Sequence, residues 1–205
     1  MKTYIYICFF YDKDLFIAYT STGDIMNLKK IKIISFFGVF LLTFLFHYLY
    51  EWFPNPFFAV LFPVNESIWE HMKLLYSGFF FWNIIEYLLI RKYSIKINNY
   101  ILNTFIVMIS SIIVYLIIYL PLYDVIGESM ILAIGLLAII VALSELFGFY
   151  LLKMERQDSP LNKASIVLII LGYIVLASLT FNPIKNYIFY DTHNHKYGID
   201  IYEKD

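Results

Sequence analysis

Glu66, Glu70 and His71 are the residues whose types and spacing best suit them to chemistry, and they fall in one polar stretch, PVNESIWEHMK, from Pro63 to Lys73. Two carboxylates at i, i+4 lie on one helical face. In a partly dry place their like charges raise the proton affinity of one of them, so the pair can act as acid and base or hold a cation. His71 adds a proton carrier or a ligand. His47 and Glu51 lie one helical turn apart at the end of the preceding apolar segment, at a depth where they could join Glu66, Glu70 and His71 around one cavity. The catalytic candidates are therefore Glu66, Glu70 and His71. The metal candidates are His47, Glu66, Glu70 and His71, and the cofactor such a set would take is a divalent cation. The competing expectation is structural: a capped helical turn with a Glu70/Lys73 pair at i, i+3. No HExxH spacing occurs, so a metalloprotease lacks its main support.

These side chains need elements to place them. Pro63 brings Val64 in extended. Asn65 is the expected N-cap, Glu66 the first helical residue, and Val64 the partner of Trp69 in a hydrophobic staple. The helix so begun is expected to run to about Ile90. Deeper polar residues are Asn83, Glu86, Ser144 and Glu145. Glu86 is expected to reach Arg91 or Lys92. Neutral hydrogen bonds between helices, or a proton or ion relay from the outer cluster through Glu86 and Glu145, are the two expectations for this group. In the tail, His193 and His195 flank one residue beside Asp191, a pattern that fits either a weak metal site or a solvated segment. Asp191, Tyr197 and Gly198 are expected to form a turn, with Gly198 at positive φ.

The solvent for all this is lipid. The chain has 205 residues, is 61% hydrophobic and only 15% charged, against about 25% charged for a soluble domain. Apolar segments at about 33–50, 74–90, 101–120, 130–151 and 165–181 are each about long enough to cross the hydrocarbon as helix. The expected fold class is all-α, a polytopic bundle of five spans. Its expected divisions are an N-terminal extension over 1–25, a transmembrane domain over 26–182 and an external tail over 183–205. In the extension, Asp12, Lys13 and Asp14 interrupt the apolar run and no small-residue cleavage site appears. Met26 followed by Lys29, Lys30 and Lys32 looks like a start leading into a first span, and translation is expected to begin there.

Basic residues recur before the first span, between the second and third (Arg91, Lys92, Lys96) and between the fourth and fifth (Lys153, Arg156, Lys163). The alternate connections carry Glu51, Glu66, Glu70, Asp124 and Glu128. The positive-inside rule then puts the N-terminus in the cytoplasm and the C-terminus outside. Tyr48, Tyr50, Trp52 and Phe53, with Tyr119 and Tyr123, are expected in the headgroup belts. A net charge of −1 without a basic face excludes nucleic acid as a partner. The single Cys8 excludes an internal disulfide and a thiolate metal cluster. Codon-driven use of Ile, Phe, Tyr, Lys and Asn suits a low-GC bacterium and hence the bacterial cytoplasmic membrane.

PVNESIWEH, preceded by the His47–Trp52 span end and followed by Pro183, Asp191, Tyr197 and Gly198, resembles a family of small bacterial membrane proteins known only as a domain of unknown function. The likeness spans roughly residues 30 to 200. It implies five spans and a Pro-Val-Asn-Glu-Ser-x-Trp-Glu-His signature before the second. The family pattern has Asp-Pro followed by Thr-Gly where this chain has Thr192–Lys196, so it does not carry over His193 and His195. No activity is implied. Two functions stay open: a transporter-like or accessory component binding a cation, a proton, a protein partner or a second copy of itself through the external cluster, and a membrane-embedded hydrolase or transferase using Glu66, Glu70 and His71 at the outer leaflet.

Overall fold

The structure, a computed structural model, describes residues 27–157 and 159–199. The expectations for residues 1–25, for Cys8 and for a start at Met26 lie outside the described residues. Among the described residues the fold is all-α apart from a minimal hairpin. Its helices are α1 (Leu28–Trp52), α2 (Pro56–Leu61), α3 (Ile68–Lys92), α4 (Tyr100–Ile126), α5 (Met130–Leu151) and α6 (Ser159–Phe181). A 3-10 turn at Tyr187–Phe189 leads into β1 (Tyr190–Asp191), which pairs antiparallel with β2 (Lys196–Tyr197).

Four of the long helices, α1, α4, α5 and α6, are apolar enough to cross a membrane. Their outward faces expose residues such as Leu41, Ile117, Ile131 and Ile174; contiguous apolar surface on that scale is rare on proteins surrounded by water. The fifth long helix, α3, is more polar, because it carries Glu70, Lys73, Asn83 and Glu86, every one of them buried. It lies at the centre and packs against α1, α4 and α6. Val39, Met72, Leu75, Phe79, Val107, Met108, Ile140 and Val141 fill the space around it. A helix with four polar groups buried in the bundle needs its neighbours to satisfy them, which fixes its rotation.

The short helix α2 is not expected from the sequence. Asn55 caps it by accepting from the Phe58 N–H at 3.1 Å, and Pro56 occupies its first turn where a missing N–H costs nothing. Its C-terminal carbonyls are taken by α3: the Lys73 ammonium donates to Ala59 O at 2.6 Å and Ser77 Oγ donates to Leu61 O. Lys73 also meets Glu70 Oε2 at 2.8 Å. The expected i, i+3 pair is thus present, and it is fully inside the protein with α2 as its third member.

Candidate functional site

The polar stretch folds differently at its start from the expectation. Ser67, and not Asn65, is the N-cap of α3: its hydroxyl accepts from the Glu70 N–H at 3.3 Å. Asn65 stands outside the helix, where Oδ1 accepts from the Ser67 N–H at 2.9 Å and Nδ2 donates to Gly198 O at 2.9 Å. The physical reason is the spacing Ser-x-x-Glu, which suits a cap at Ser67 and leaves Asn65 free to bind the tail. Glu66 is therefore not helical and shares no helical face with Glu70. Val64 and Trp69 do not make the expected staple across an Asn65 cap; Trp69 packs on Phe189 of the 3-10 turn, ring centroids 4.9 Å apart.

This displacement separates the two acids. Glu70 turns into the bundle, where its carboxylate accepts from Lys73, from Thr180 Oγ1 at 2.6 Å and from the Val64 N–H at 3.1 Å. All its bonding capacity serves the packing of α2, α3 and α6. Glu66 instead turns toward two histidines: Oε1 lies 3.5 Å from His47 Nε2 and Oε2 lies 3.4 Å from His71 Nε2. The histidine rings approach to 5.3 Å between centroids. One ligand atom from each of His47, Glu66 and His71 falls within 4.8 Å of the others, a group able to hold a metal ion. Glu51 is exposed and stays outside this group, as does Glu70.

The histidine tautomer follows from geometry. His71 Nδ1 lies 2.8 Å from Ser67 O, which can only accept, so Nδ1 carries the proton and neutral His71 presents a lone pair at Nε2. A backbone carbonyl holding the far nitrogen is the usual orienting contact for a metal-binding imidazole. The Glu66 carboxyl is held below the usual carboxylate range, chiefly by hydrogen bonding from His71 Nε2 when that ring is protonated and against the opposing effect of burial.

His47, Glu66 and His71 line a cavity of about 540 Å³. Its inner wall is apolar, with Phe44, Met72, Leu75 and Leu137. Tyr115, Tyr119 and Tyr123 line it from α4, and Glu128, Thr192 and His193 line its rim. Tyr119 and Tyr123, expected in a headgroup belt, line this cavity. Their i, i+4, i+8 register with Tyr115 marks one helical face and is the readable signal; Glu128, in a short connection, offers none.

The tail is fixed to the site through Asp191. This buried carboxylate accepts from the Glu66 N–H at 3.1 Å, from the His193 and Asn194 N–H groups at 2.8 and 3.0 Å, and from Asn194 Nδ2 at 2.9 Å. Burial alone would raise its pKa, but those donors outweigh it and hold the carboxyl below the ordinary range. Gly198 adopts φ +53°, as the turn requires, and Ile199 N donates to Thr180 O at 3.1 Å. His193 Nε2 meets Glu128 Oε1 at 2.8 Å, a contact that raises its pKa, while His195 turns to Tyr190 at 3.2 Å. The two tail histidines therefore do not form a joint metal site.

Residues 21–199 match the model described as Family of unknown function (DUF6512). The chain belongs to that family. The match starts at residue 21, ahead of Met26, where translation is expected to begin, and ahead of about residue 30, where the resemblance is expected to begin. No curated protein and no solved structure matches the chain. Membership of DUF6512 brings no activity with it, and function has to be argued from the site.

Proposed function

We propose that this DUF6512 protein is a five-span protein of the bacterial cytoplasmic membrane that binds a divalent cation at its external face through His47, Glu66 and His71. The observation that carries the reading is the convergence of those three ligand groups at the wall of the 540 Å³ cavity. Two ligand atoms about 2.1 Å from a tetrahedral zinc lie about 3.4 Å apart; here His47 Nε2 stands 3.5 Å from Glu66 Oε1 and His71 Nε2 stands 3.4 Å from Oε2, with one ligand atom of each residue within 4.8 Å of the others. Two imidazoles and one carboxylate also form the ligand set of catalytic zinc, which leaves a position open. Support for α3 as the fifth span is its length, 25 residues or about 37 Å of helix, and the fact that its charges meet partners inside the bundle. Lys29, Lys30, Arg91, Lys92 and Lys153 at one end support a cytoplasmic N-terminus.

A second reading, a metal-dependent hydrolase or transferase, is favoured by the cavity beside the three ligand residues, which is largely apolar and is also lined by Tyr115, Tyr119 and Tyr123. Glu66 would then be a ligand, and an amphipathic molecule of the outer leaflet would present its polar group to the ion. Glu70 is not proposed in any chemical step, since Lys73, Thr180 and Val64 already hold its carboxylate.

The test is metal content. Protein purified in detergent, equilibrated with zinc and desalted, is expected to retain about one ion per chain by mass spectrometry. His47→Ala, Glu66→Gln and His71→Ala should each lower affinity by at least about tenfold, and Glu51→Gln should not. Equal binding by all four variants would overturn the reading.

A further inference from the structure

A second polar cluster lies at the opposite end of the bundle, built from α1, α3, α4 and α5 and separate from the histidine site. The Lys32 ammonium meets Glu86 Oε1 at 2.9 Å and Oε2 at 3.0 Å, and Ser35 Oγ donates to the same carboxylate. Glu145 Oε2 also lies 2.9 Å from Lys32 Nζ, but out of line for a hydrogen bond. All three charged side chains are buried, with side-chain exposures of 7% for Lys32, 0% for Glu86 and 5% for Glu145. One ammonium therefore stands against two carboxyls.

Electroneutrality favours a single ionised carboxyl against the one ammonium. An unpaired ionised carboxylate in a low-dielectric interior costs several kcal/mol even after relaxation, and a buried group of this kind neutralises instead. Glu86 takes both of its oxygens to Lys32 and one to Ser35, so it is the carboxyl that pairs fully with the ammonium. Glu145 has one ion-pair approach and no hydrogen bond to that oxygen.

Asn103 supplies an independent sign that the cluster is built to bind. It is 1% exposed, and both its Nδ2 and its Oδ1 lack a hydrogen-bond partner. A buried amide left unpaired on both ends is costly. It is aimed at the same place: a Cβ added at Gly148 would lie 3.0 Å from Asn103 Oδ1 and 3.3 Å from Lys32 Nζ. Gly148, one turn from Glu145 on α5, is what admits both groups there.

A second cavity lies beside Tyr100 and Asn83, near the cluster. It measures about 610 Å³ and is lined by Asn83, Tyr87, Asn98, Tyr100, Thr104 and Arg156, among others. Tyr100 donates to Asn83 O at 2.6 Å and lies within electrostatic reach of Glu86 and Glu145. Asn83 Nδ2 is buried and unpartnered. The ionisable groups facing Glu145 are thus Lys32 from α1, Glu86 from α3 and Tyr100 from α4.

We propose that Lys32, Glu86, Glu145 and Asn103 form a proton-binding site inside the bundle, in which one exchangeable proton resides on the Glu145 carboxyl and enters through the cavity beside Asn83 and Tyr100. Binding converts the Glu145 carboxylate to the acid with a proton drawn from water, and no other bond changes. The site is independent of the histidine cluster and stands or falls apart from it.

Infrared difference spectroscopy of the full chain in detergent tests this. Near neutral pH the unmodified protein is expected to show a protonated-carboxyl C=O band that shifts on carbon-13 labelling of glutamate and fades as pH is raised. Glu145→Gln should abolish it. Lys32→Met, which leaves two carboxyls without a cation, should about double it. Tyr100→Phe should slow the band's response to a pH jump by more than about tenfold. The labelling arm uses unmodified protein, so a variant that fails to fold does not remove the test. The proposal is overturned by a neutral-pH spectrum without the glutamate band, by a band that survives Glu145→Gln, or by one that appears only after metal cations are stripped, which would make the ligand a metal ion. An unchanged rate in Tyr100→Phe would overturn the entry route.

Discussion

Asp191→Asn should cut one bond between the tail and the signature loop while sparing the rest of the turn. In the parent, Oδ1 accepts from the His193 and Asn194 N–H groups, and Oδ2 accepts from the Glu66 N–H and from Asn194 Nδ2. An asparagine amide can keep its oxygen on the two turn N–H groups. Its NH2 then faces the Glu66 N–H, donor against donor, whereas the exposed Asn194 amide can rotate to offer its own oxygen. The loss is one hydrogen bond to a charged acceptor at a half-buried donor, about 1–2 kcal/mol, or about 3–6 °C in thermal midpoint for a chain of this size. Because that N–H holds the residue whose carboxylate faces His47 and His71, zinc affinity should fall as well, by about tenfold. Acid titration adds a signed check. The folded carboxyl lies below its ordinary value, so its stabilisation is present above the unfolded pKa of about 4 and is lost as pH falls through the folded one. The gap between parent and variant should close in acid. Thermal unfolding with hydrogen exchange at residues 64–67 reads all of this; unchanged stability and unchanged protection of the Glu66 amide would refute the account of the tail as the anchor of the site.

Lys73→Met should cost about 3–5 kcal/mol, because it leaves the buried Glu70 carboxylate unpaired and uncaps α2; Glu70→Gln in the same chain should restore part of the loss in a double-mutant cycle on the thermal midpoint. Gly198→Ala should cost about 1–3 kcal/mol, since φ +53° strains a β-carbon that would also press on Thr180 O, and unfolding experiments would register it. Zinc affinity should fall on acidification with a dependence steeper than one proton per ion, because His47 and His71 must both be deprotonated to bind the ion; isothermal titration at several pH values checks it, and a pH-independent constant would count against both ligands.

Much of the scaffold is legible in the sequence, because apolar runs long enough to span declare themselves. The five long helices overlap the five expected segments, although only four are apolar enough to qualify as spans. The choice of the signature as the site is legible too, yet its internal geometry is not. Asn65 and Ser67 are both good caps, and local preference cannot choose between them; the Gly198 carbonyl, from the far end of the chain, takes Asn65. Glu86 is expected to reach Arg91 or Lys92 because they are close in sequence, but its partner is Lys32 on α1. Lys32, which its place in the basic run groups with the orienting surface charges, is buried. Helix α2 is hidden because PFFAVL is too short for periodicity to show, and only the Asn55-Pro56 start marks it. In each case the deciding contact is long-range, and sequence spacing is silent about those.

The bonds between the signature and the tail have a consequence for how the protein is made. Asn65 reaches Gly198, Glu66 reaches Asp191 and Glu70 reaches Thr180, so each partner is synthesised more than a hundred residues later. At about 5–20 residues per second, the nascent chain carries Glu66 and Glu70 for several seconds before either meets its distal partner. A ribosome-bound chain ending before α6 therefore has a signature without its anchor and the Glu70 oxygen without Thr180. The tail contacts of the signature loop are made last, and a truncated product would present that loop without them.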